Sequence, residues 1–190
     1  MKAALCCPGP SLAAVPDLCG YQFIVAVNRA VHRVKADVWA ALDSGLIRHH
    51  APAETPPRLL VRQETATRRW FGQYASDVVT VESLGPEPVC VPWTRFTATA
   101  ALVAMWRWGC TSIDCFGVDW AVGAVDWDGT KTTGMRRTQA RFFTDRHNES
   151  KVWGRVCEHL AAHGVSVTRR FPTGRSIECN SVTRETASSV

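Results

Sequence analysis

Three apolar segments within the first 43 residues constrain the fold of this chain more than any other feature. They are AALCC (residues 3–7), YQFIVAVN (21–28) and ADVWAALD (36–43). Strands that are apolar on both faces belong to parallel sheets covered by helices, and the connections between these three are short. The sequence therefore predicts an α/β fold: a single Rossmann-like three-layer domain over residues 1–171, with a mostly parallel sheet and a small irregular insertion.

In the rest of the chain, segments with a clear secondary-structure pattern alternate with segments that have none. Three further strands are predicted, in PRLLVRQ (57–63), TSIDCFGVDW (111–120) and VSVTRRF (165–171). A buried helix is predicted in FTATAALVAMWRWG (96–109), and another helix from Asp145 or Asn148 to Gly164. Gly109 and Gly164 are expected to end the two helices. Residues 44–93 are predicted as an irregular insertion or lid, AVGAVDWDGTKTTGMRR (121–137) as a long loop over one edge of the site, and residues 172–190 as a flexible tail.

Composition excludes some classes of protein. With 46% hydrophobic and 21% charged residues the chain resembles an ordinary globular domain. The net charge of +5 and sequence pI of about 8.9 suit a phosphate-bearing ligand and a polyanion equally well. No apolar stretch reaches the roughly 18 residues of a membrane span, and the opening apolar run is too short for a signal peptide. Eight cysteines without a CxxC pair predict a reducing, cytoplasmic location.

The turn after the first strand reads CPGPS, residues 7–11. Between a strand and a helix, Gly9, Pro10 and Ser11 can present backbone amides and a hydroxyl to a phosphate group. The spacing is neither GxGxxG nor a P-loop, because no lysine follows. A tight turn with Ser11 as a helix cap is the competing interpretation, and the motif alone divides the two evenly.

Polar residues also end the other predicted strands. Asn28, Asp43 and Asp119 should project from one edge of the sheet, with Gly117 beside them. An amide there can bind a base or ribose, and a carboxylate can hold a hydroxyl, act as a general base or bind magnesium. For each residue alone, capping of its own turn is the favoured interpretation, whereas their joint placement with the turn at residues 7–11 favours a binding site. No set of metal ligands is assigned.

A second group of candidates precedes the predicted C-terminal helix. His147 is a candidate general base, and Arg141 and Arg146 are candidates for binding a leaving phosphate. A solvated surface histidine is the commoner case. Of the eight tryptophans, Trp70, Trp93, Trp120 and Trp127 are predicted to flank the proposed site and are candidates for stacking on a sugar or a base. With the basic runs RRWF and MRRTQAR they also leave contact with nucleic acid open.

Taken in order, these motifs resemble a known layout. CCPGPSLAAVPD, IVAVN, ADVWAALD and TATAALVAMWRWGCTSIDCFGVDW are similar to the small bacterial sialyltransferase-type glycosyltransferases and to the related DUF115 group, which includes archaeal 6-hydroxymethylpterin pyrophosphokinases. In both, a GPSL turn follows the first strand, an asparagine ends the second, and a later strand ends in Gly-x-Asp. The resemblance covers residues 3–43 and 94–120. Cys7 and Pro8 replace the Gly-Asn pair that often precedes the turn.

The resemblance implies that Gly9, Pro10 and Ser11 contact the nucleotide phosphate and that Asn28 contacts the nucleotide. A C-terminal histidine serves as base in the transferases, and His147 is the best match. The implied activity is transfer of a sugar from a nucleotide sugar to a hydroxyl acceptor without a metal. The short chain and its basic, tryptophan-rich segments suit a large polar acceptor, and a hydroxymethylated base in DNA is one candidate. The alternatives are an ATP- and Mg-dependent diphosphotransferase, with Asp43 and Asp119 holding the magnesium, and a non-catalytic nucleotide-binding protein.

Overall fold

The computed structural model describes residues 1–54, 56, 58–66, 77–85, 93–119, 128, 139–171, 174 and 176–179. For residues 139–147 it describes the course of the backbone. Apart from Asp128, the predicted loop at 121–137, with Asp126 and Trp127, therefore lies outside the described residues, as do Trp70 and Trp120.

The described strands form a single sheet. They are β1 Lys2–Cys6, β2 Phe23–Val27, β3 Val38–Ala40, β4 Arg58–Val61, β5 Asp77–Thr80, β6 Ser112–Phe116, β7 Ser166–Arg170 and β8 Ser176–Glu178. Their order is β5-β4-β3-β2-β1-β6-β7-β8, and the neighbouring pairs are parallel except β7–β8. The predicted α/β class is confirmed, and β1 lies inside the sheet as expected.

Helices cover both faces of this sheet. They are α1 Ser44–His50, α2 Gln63–Ala66, α3 Thr97–Arg107 and α4 Gln139–Ala162, with short 3-10 helices at Pro10–Ala14, Asn28–His32, Val81–Leu84 and Trp93–Arg95. The helix α3 forms as predicted, because its run of alanines and leucine holds no breaker before Gly109, which has a φ of 85°.

The alternation of side chains along β1 explains the three layers. Ala3 and Leu5 belong to the core under α3 and α4, whereas Ala4 and Cys6 belong to the core under the first two 3-10 helices and α1. Because both faces of the strand are buried, both carry apolar residues. The result is the three-layer Rossmann-like arrangement that the sequence predicts.

Three elements differ from the expectation. The strand β4 forms within PRLLVRQ as predicted, but residues 44–93 also contribute α1, α2 and β5, so part of the expected insertion extends the sheet. The strand β8 lies within the expected tail and pairs with the edge of β7. The helix α4 begins at Gln139, well before Asp145, since no glycine or proline interrupts the chain between them and an Asp or Asn can lie within a helix as well as cap it.

No helix within the described residues combines the length and the apolar character that a membrane crossing requires.

Candidate functional site

The carboxyl ends of the parallel strands place the predicted residues at one edge of the sheet. Cys6, the last residue of β1, lies opposite Ala26 on β2 and Phe116 on β6. The segments that follow these three strands therefore leave the sheet side by side. They carry Gly9, Pro10, Ser11, Asn28, Gly117 and Asp119.

The turn at residues 7–11, named here the Gly-Pro-Ser turn, continues the pairing of β1 with β6 beyond the strands themselves. The Cys7 amide donates to the Phe116 carbonyl at 2.8 Å, and the Gly9 amide donates to the Gly117 carbonyl at 3.0 Å. These bonds hold the turn tightly against the segment that follows β6.

Both glycines are required by this close approach. A Cβ on Gly9 would lie 2.4 Å from the Gly117 carbonyl oxygen, and a Cβ on Gly117 would lie 1.9 Å from the Cys7 carbonyl oxygen. Gly117 also has a φ of 68°, a left-handed conformation that disfavours other residues. The glycines at 9 and 117 therefore work as a pair, although the sequence separates them by more than 100 residues.

The Asp119 carboxylate completes the junction. Its Oδ2 atom accepts a hydrogen bond from the Ser11 amide at 2.7 Å. Of the two interpretations that the sequence left open, the one in which Ser11 caps the following helix is wrong: Gly9 occupies the N-cap position without a side-chain bond, and Ser11 lies inside the 3-10 helix Pro10–Ala14. Asp119 therefore takes up an amide that the sequence assigned to a phosphate.

The Ser11 hydroxyl is left without a partner. Its Oγ atom is buried and has no hydrogen-bond partner in the described part of the chain. A buried polar atom without a partner costs about 1–3 kcal/mol, so native proteins keep few of them. The Ser11 hydroxyl is thus available to a ligand at the edge of the sheet.

Asn28 shows the same feature on the neighbouring strand. Its Oδ1 atom is buried and has no partner among the described residues. Its backbone adopts a φ of 51°, which only a short polar residue or glycine tolerates readily. The Trp39 indole, itself 1% exposed, fixes this conformation by donating to the Asn28 carbonyl at 2.8 Å. The amide is therefore held rigidly while its oxygen stays available.

Asp43 follows β3 at the same edge and caps α1. Its Oδ1 atom accepts from the Gly45 amide at 2.8 Å, which is the cap geometry that the sequence left open as an alternative. Asp43 and Asp119 thus each use one carboxylate oxygen on a backbone amide. Within the described residues no group of three or more His, Cys, Asp or Glu side chains could hold a metal ion.

Two arginines near this edge were not among the predicted site residues. Arg29, next to Asn28, forms an ion pair with Asp128 at 2.7 Å, and Arg169 at the end of β7 donates to the Val118 carbonyl at 2.8 Å. The signal for Arg169 was present in the sequence, because the predicted strand VSVTRRF carries two basic residues near its carboxyl end, just as the predicted strands ending in Asn28 and Asp43 carry a polar residue there.

Arg141, Arg146 and His147 belong to the first turns of α4. The expectation that His147 immediately precedes a helix was wrong, because α4 begins eight residues earlier. The side chains of all three residues lie outside the described part of the structure. Their roles stay predictions.

Trp93 was predicted to flank the site. It is 1% exposed and belongs to the core beside α3 and α4. Its place in the core rules out stacking of an exposed ring on a sugar or a base without rearrangement of the packing. The prediction for this residue was wrong, because a tryptophan next to a proline-rich loop gives no signal of its burial.

Known proteins were compared with the chain at the levels of sequence and fold. No protein-family model and no curated protein sequence match it. Two solved structures share its fold at 10% sequence identity. One is the sialyltransferase CstII from Campylobacter jejuni in complex with the substrate analogue CMP-3FNeuAc, with a TM-score of 0.52 over 91% of this chain and 82% of that chain. The other is the sialyltransferase CST-II with a trisaccharide acceptor and CMP, with a TM-score of 0.51 over 92% and 82%.

The fold is sialyltransferase-like. At this identity the likeness concerns the path of the chain and does not extend to the side chains of the site. The comparison does not bear on the predicted likeness to the DUF115 group.

Proposed function

We propose that this chain is a glycosyltransferase that takes its sugar from a nucleotide sugar. The observation that carries the proposal is the pair of buried, unpartnered atoms at one edge of the sheet, Ser11 Oγ and Asn28 Oδ1, beside a turn held by two obligatory glycines. Ligands of α/β sheets bind at this edge. The sialyltransferase-like fold supports the same class of substrate.

Ser11 Oγ and Asn28 Oδ1 are suited to different parts of a nucleotide. The Ser11 hydroxyl can donate to a phosphate oxygen, whereas the Asn28 carboxamide oxygen can accept from a ribose hydroxyl or an amino group of a base. Gly9, Pro10 and Gly117 shape the wall that faces the phosphate, and Asp43 lies further along the edge, where its second carboxylate oxygen could reach a sugar hydroxyl. All six residues are proposed to contact the donor.

The transfer step moves one glycosyl group. The acceptor hydroxyl oxygen attacks the anomeric carbon, and the bond from that carbon to the nucleotide phosphate breaks. The bonding electron pair leaves with the phosphate, and the hydroxyl proton passes to a base. We propose His147 as that base, with Arg141 and Arg146 neutralising the charge on the departing phosphate.

The course of α4 supports His147. The helix connects the parallel strands β6 and β7, so it begins at the carboxyl edge. Val152 is the first of its residues to join the described core. At 1.5 Å per residue the His147 backbone lies about 7.5 Å further along the helix axis, towards the end that starts at that edge. Asp119 was also predicted as a base, but its bond to the Ser11 amide favours a role in holding the turn.

The structural neighbours suggest the first donor to test. They were solved with CMP-3FNeuAc and with CMP and a trisaccharide. We therefore propose a CMP-linked sugar as donor and a saccharide hydroxyl as acceptor. A hydroxymethylated base in DNA stays a second acceptor class, and nothing in the described residues favours it.

A thermal-shift panel tests the donor site. CMP, UDP, GDP, ADP and their sugars are added with and without magnesium; CMP compounds should raise the melting temperature. Ser11→Ala and Asn28→Ala should weaken that effect at least about tenfold in ligand concentration, since each removes a buried hydrogen bond. Ser166→Ala, at the opposite edge of the sheet, is the matched control. If no nucleotide shifts the wild-type protein, the proposal is wrong.

Assays of donor turnover separate the remaining readings. Sugar transfer or donor hydrolysis that survives EDTA excludes the Mg-dependent diphosphotransferase, for which Asp43 and Asp119 would have to supply the ligands. A melting shift with no product from any donor and acceptor would instead indicate a non-catalytic nucleotide-binding protein.

A further inference from the structure

We infer that Arg169 is a positioning residue, which holds the Gly-Pro-Ser turn from the far side of β6. The inference rests on the proposed function only for what the turn binds. The positioning itself can be measured in the protein without a ligand.

The guanidinium contacts the segment that supports the turn. Arg169 Nη2 donates to the Val118 carbonyl at 2.8 Å. Val118 lies between Gly117, whose carbonyl accepts the Gly9 amide, and Asp119, whose carboxylate accepts the Ser11 amide. A shift of Val118 would therefore move both acceptors on which the turn depends.

The bond between Arg169 and Val118 lies where the backbone pairing of β6 with β7 has ended. The strand β6 ends at Phe116, so the segment 117–119 lies beyond the regular ladder. On the β1 side the turn itself pairs with that segment. On the β7 side the support comes from the Arg169 side chain, whose Cα is opposite Cys115, within the strand. The Arg169 side chain thus supplies a hydrogen bond between β7 and the segment after β6, where backbone hydrogen bonds between the two strands have stopped.

An arginine suits this position chemically. Val118 is 5% exposed, so water has little access to its carbonyl, and a charged donor makes a stronger bond than a neutral one. The guanidinium also lies over the Phe171 ring, 5.1 Å from its centroid, which fixes its plane.

The charge of Arg169 has a second consequence. Asp119 brings a negative charge to the turn through its bond to Ser11, and that charge opposes the binding of a phosphate. A guanidinium held at the adjacent residue Val118 offsets it without contact to the ligand. Arg169 therefore fixes the turn and also reduces the electrostatic repulsion that an anion would meet there.

Arg170 supplies a matched control. Being the next residue on the strand, it points to the opposite face of the sheet, where its Nε atom pairs with Asp114 at 2.8 Å. Removing Arg170 breaks a comparable charged bond but leaves the contacts of the Gly-Pro-Ser turn in place. The two arginines thus separate local positioning from general stability.

Amide hydrogen exchange, measured by NMR in the ligand-free protein, tests the positioning. Arg169→Met should raise the exchange rates of the Gly9 and Ser11 amides about tenfold relative to Leu5 in β1, because their acceptors lose a charged support. Arg169→Lys, which keeps a cationic donor, should recover part of the protection. Arg170→Met should lower the melting temperature without changing the ratio. An unchanged ratio in Arg169→Met, or an equal rise in Arg170→Met, overturns the inference.

Titration with CMP and with cytidine then relates the position of the turn to the ligand. Arg169→Met should weaken CMP binding about tenfold and leave cytidine binding unchanged, because only CMP carries the phosphate. Equal losses for both compounds would contradict a role at the phosphate turn. If wild-type protein binds neither compound, the proposed CMP site fails, while the exchange ratio still decides the positioning role.

Discussion

Asp114 and Asp119 are five residues apart at β6, and the structure uses them in opposite ways. Asp114 is 4% exposed, and both of its oxygens are occupied: Tyr21 donates its hydroxyl to Oδ2 at 2.7 Å, and Arg170 donates to Oδ1 at 2.8 Å. Burial and the bond to Asp114 raise the pKa of Tyr21, so the phenol stays protonated as a donor. This network is saturated by the protein itself.

The surroundings of Asp119 are not saturated. Its carboxylate holds the Ser11 amide, but the Ser11 hydroxyl beside it and the Asn28 amide oxygen on the next strand have no partner in the described part of the chain. Burying such atoms costs free energy that folding does not recover. The comparison teaches that the polar groups of Asp114 serve the fold as a paired network, whereas the unpaired oxygens of Ser11 and Asn28 lie together at the edge where ligands of such sheets bind.

The largest predicted effect concerns the glycines that hold the turn in the unsaturated region. Gly117→Ala should lower the free energy of unfolding by at least about 3 kcal/mol, because its Cβ would collide with the Cys7 carbonyl in a left-handed backbone. Gly154→Ala is the control: a Cβ there meets nothing within 4 Å, and alanine favours the helix α4. Urea unfolding of both variants measures the difference. Equal stability of the two would show that the turn can relax.

Exchanging the carboxylates for amides tests the comparison directly. Asp114→Asn should cost about 2 kcal/mol, less than for a fully buried pair because Arg170 is 43% exposed, and should leave nucleotide binding unchanged. Asp119→Asn should cost about 1 kcal/mol and change nucleotide affinity, because the orientation of the Ser11 amide depends on it. Urea unfolding and CMP titration of both variants supply the data. If Asp114→Asn also altered affinity, the two regions would not be independent.

Much of this contrast is hidden from sequence. Apolar runs that end in polar residues predicted the sheet, its class and the edge where Asn28 and Asp119 lie, because strand burial follows from local composition. The bond between Ser11 and Asp119 joins residues 108 positions apart, and it depends on the register of two strands that no local pattern encodes. The sequence therefore located the edge, and only the structure distinguished a turn-holding carboxylate from an available one.

The same limit applies to shorter elements. The strands β5 and β8 have four and three described residues, and their stability comes from pairing with β4 and β7 rather than from their own composition. Trp39 is another case. Its indole bond to the Asn28 carbonyl fixes a site residue, yet within ADVWAALD it reads simply as a buried aromatic residue.

A smaller effect is expected at Asn28, where backbone strain and ligand contact can be separated. Asn28→Ala should cost about 1 kcal/mol, because alanine tolerates a φ of 51° poorly, whereas Asn28→Gly should be close to neutral. Both variants lose the amide and should lose nucleotide binding. Urea unfolding with CMP titration tests this. If Asn28→Gly bound CMP normally, the carboxamide would not be a ligand contact.

The smallest predicted effect tests how far the charge of Arg169 reaches. A hydrogen bond with Cys157 is the largest cause that lowers the pKa of Cys179; burial opposes it, Trp153 and Arg169 add to it, and together they bring the pKa to about 7. Alkylation by iodoacetamide should therefore rise through pH 7, because the reactive thiolate is lost below it. The exposed Cys19, whose pKa is raised by Asp17, should react only at higher pH.

The two adjacent arginines then provide the decisive comparison for this thiol. Arg169→Met should move the midpoint of Cys179 alkylation to higher pH, since a nearby cation no longer favours the thiolate, whereas Arg170→Met should leave it in place. Peptide mass spectrometry at each pH follows Cys179 and Cys19 in the same sample. Equal shifts of the midpoint in both variants would mean that the thiol responds to general loosening of β7. The charge of Arg169 would then have no specific effect on the Cys179 thiolate.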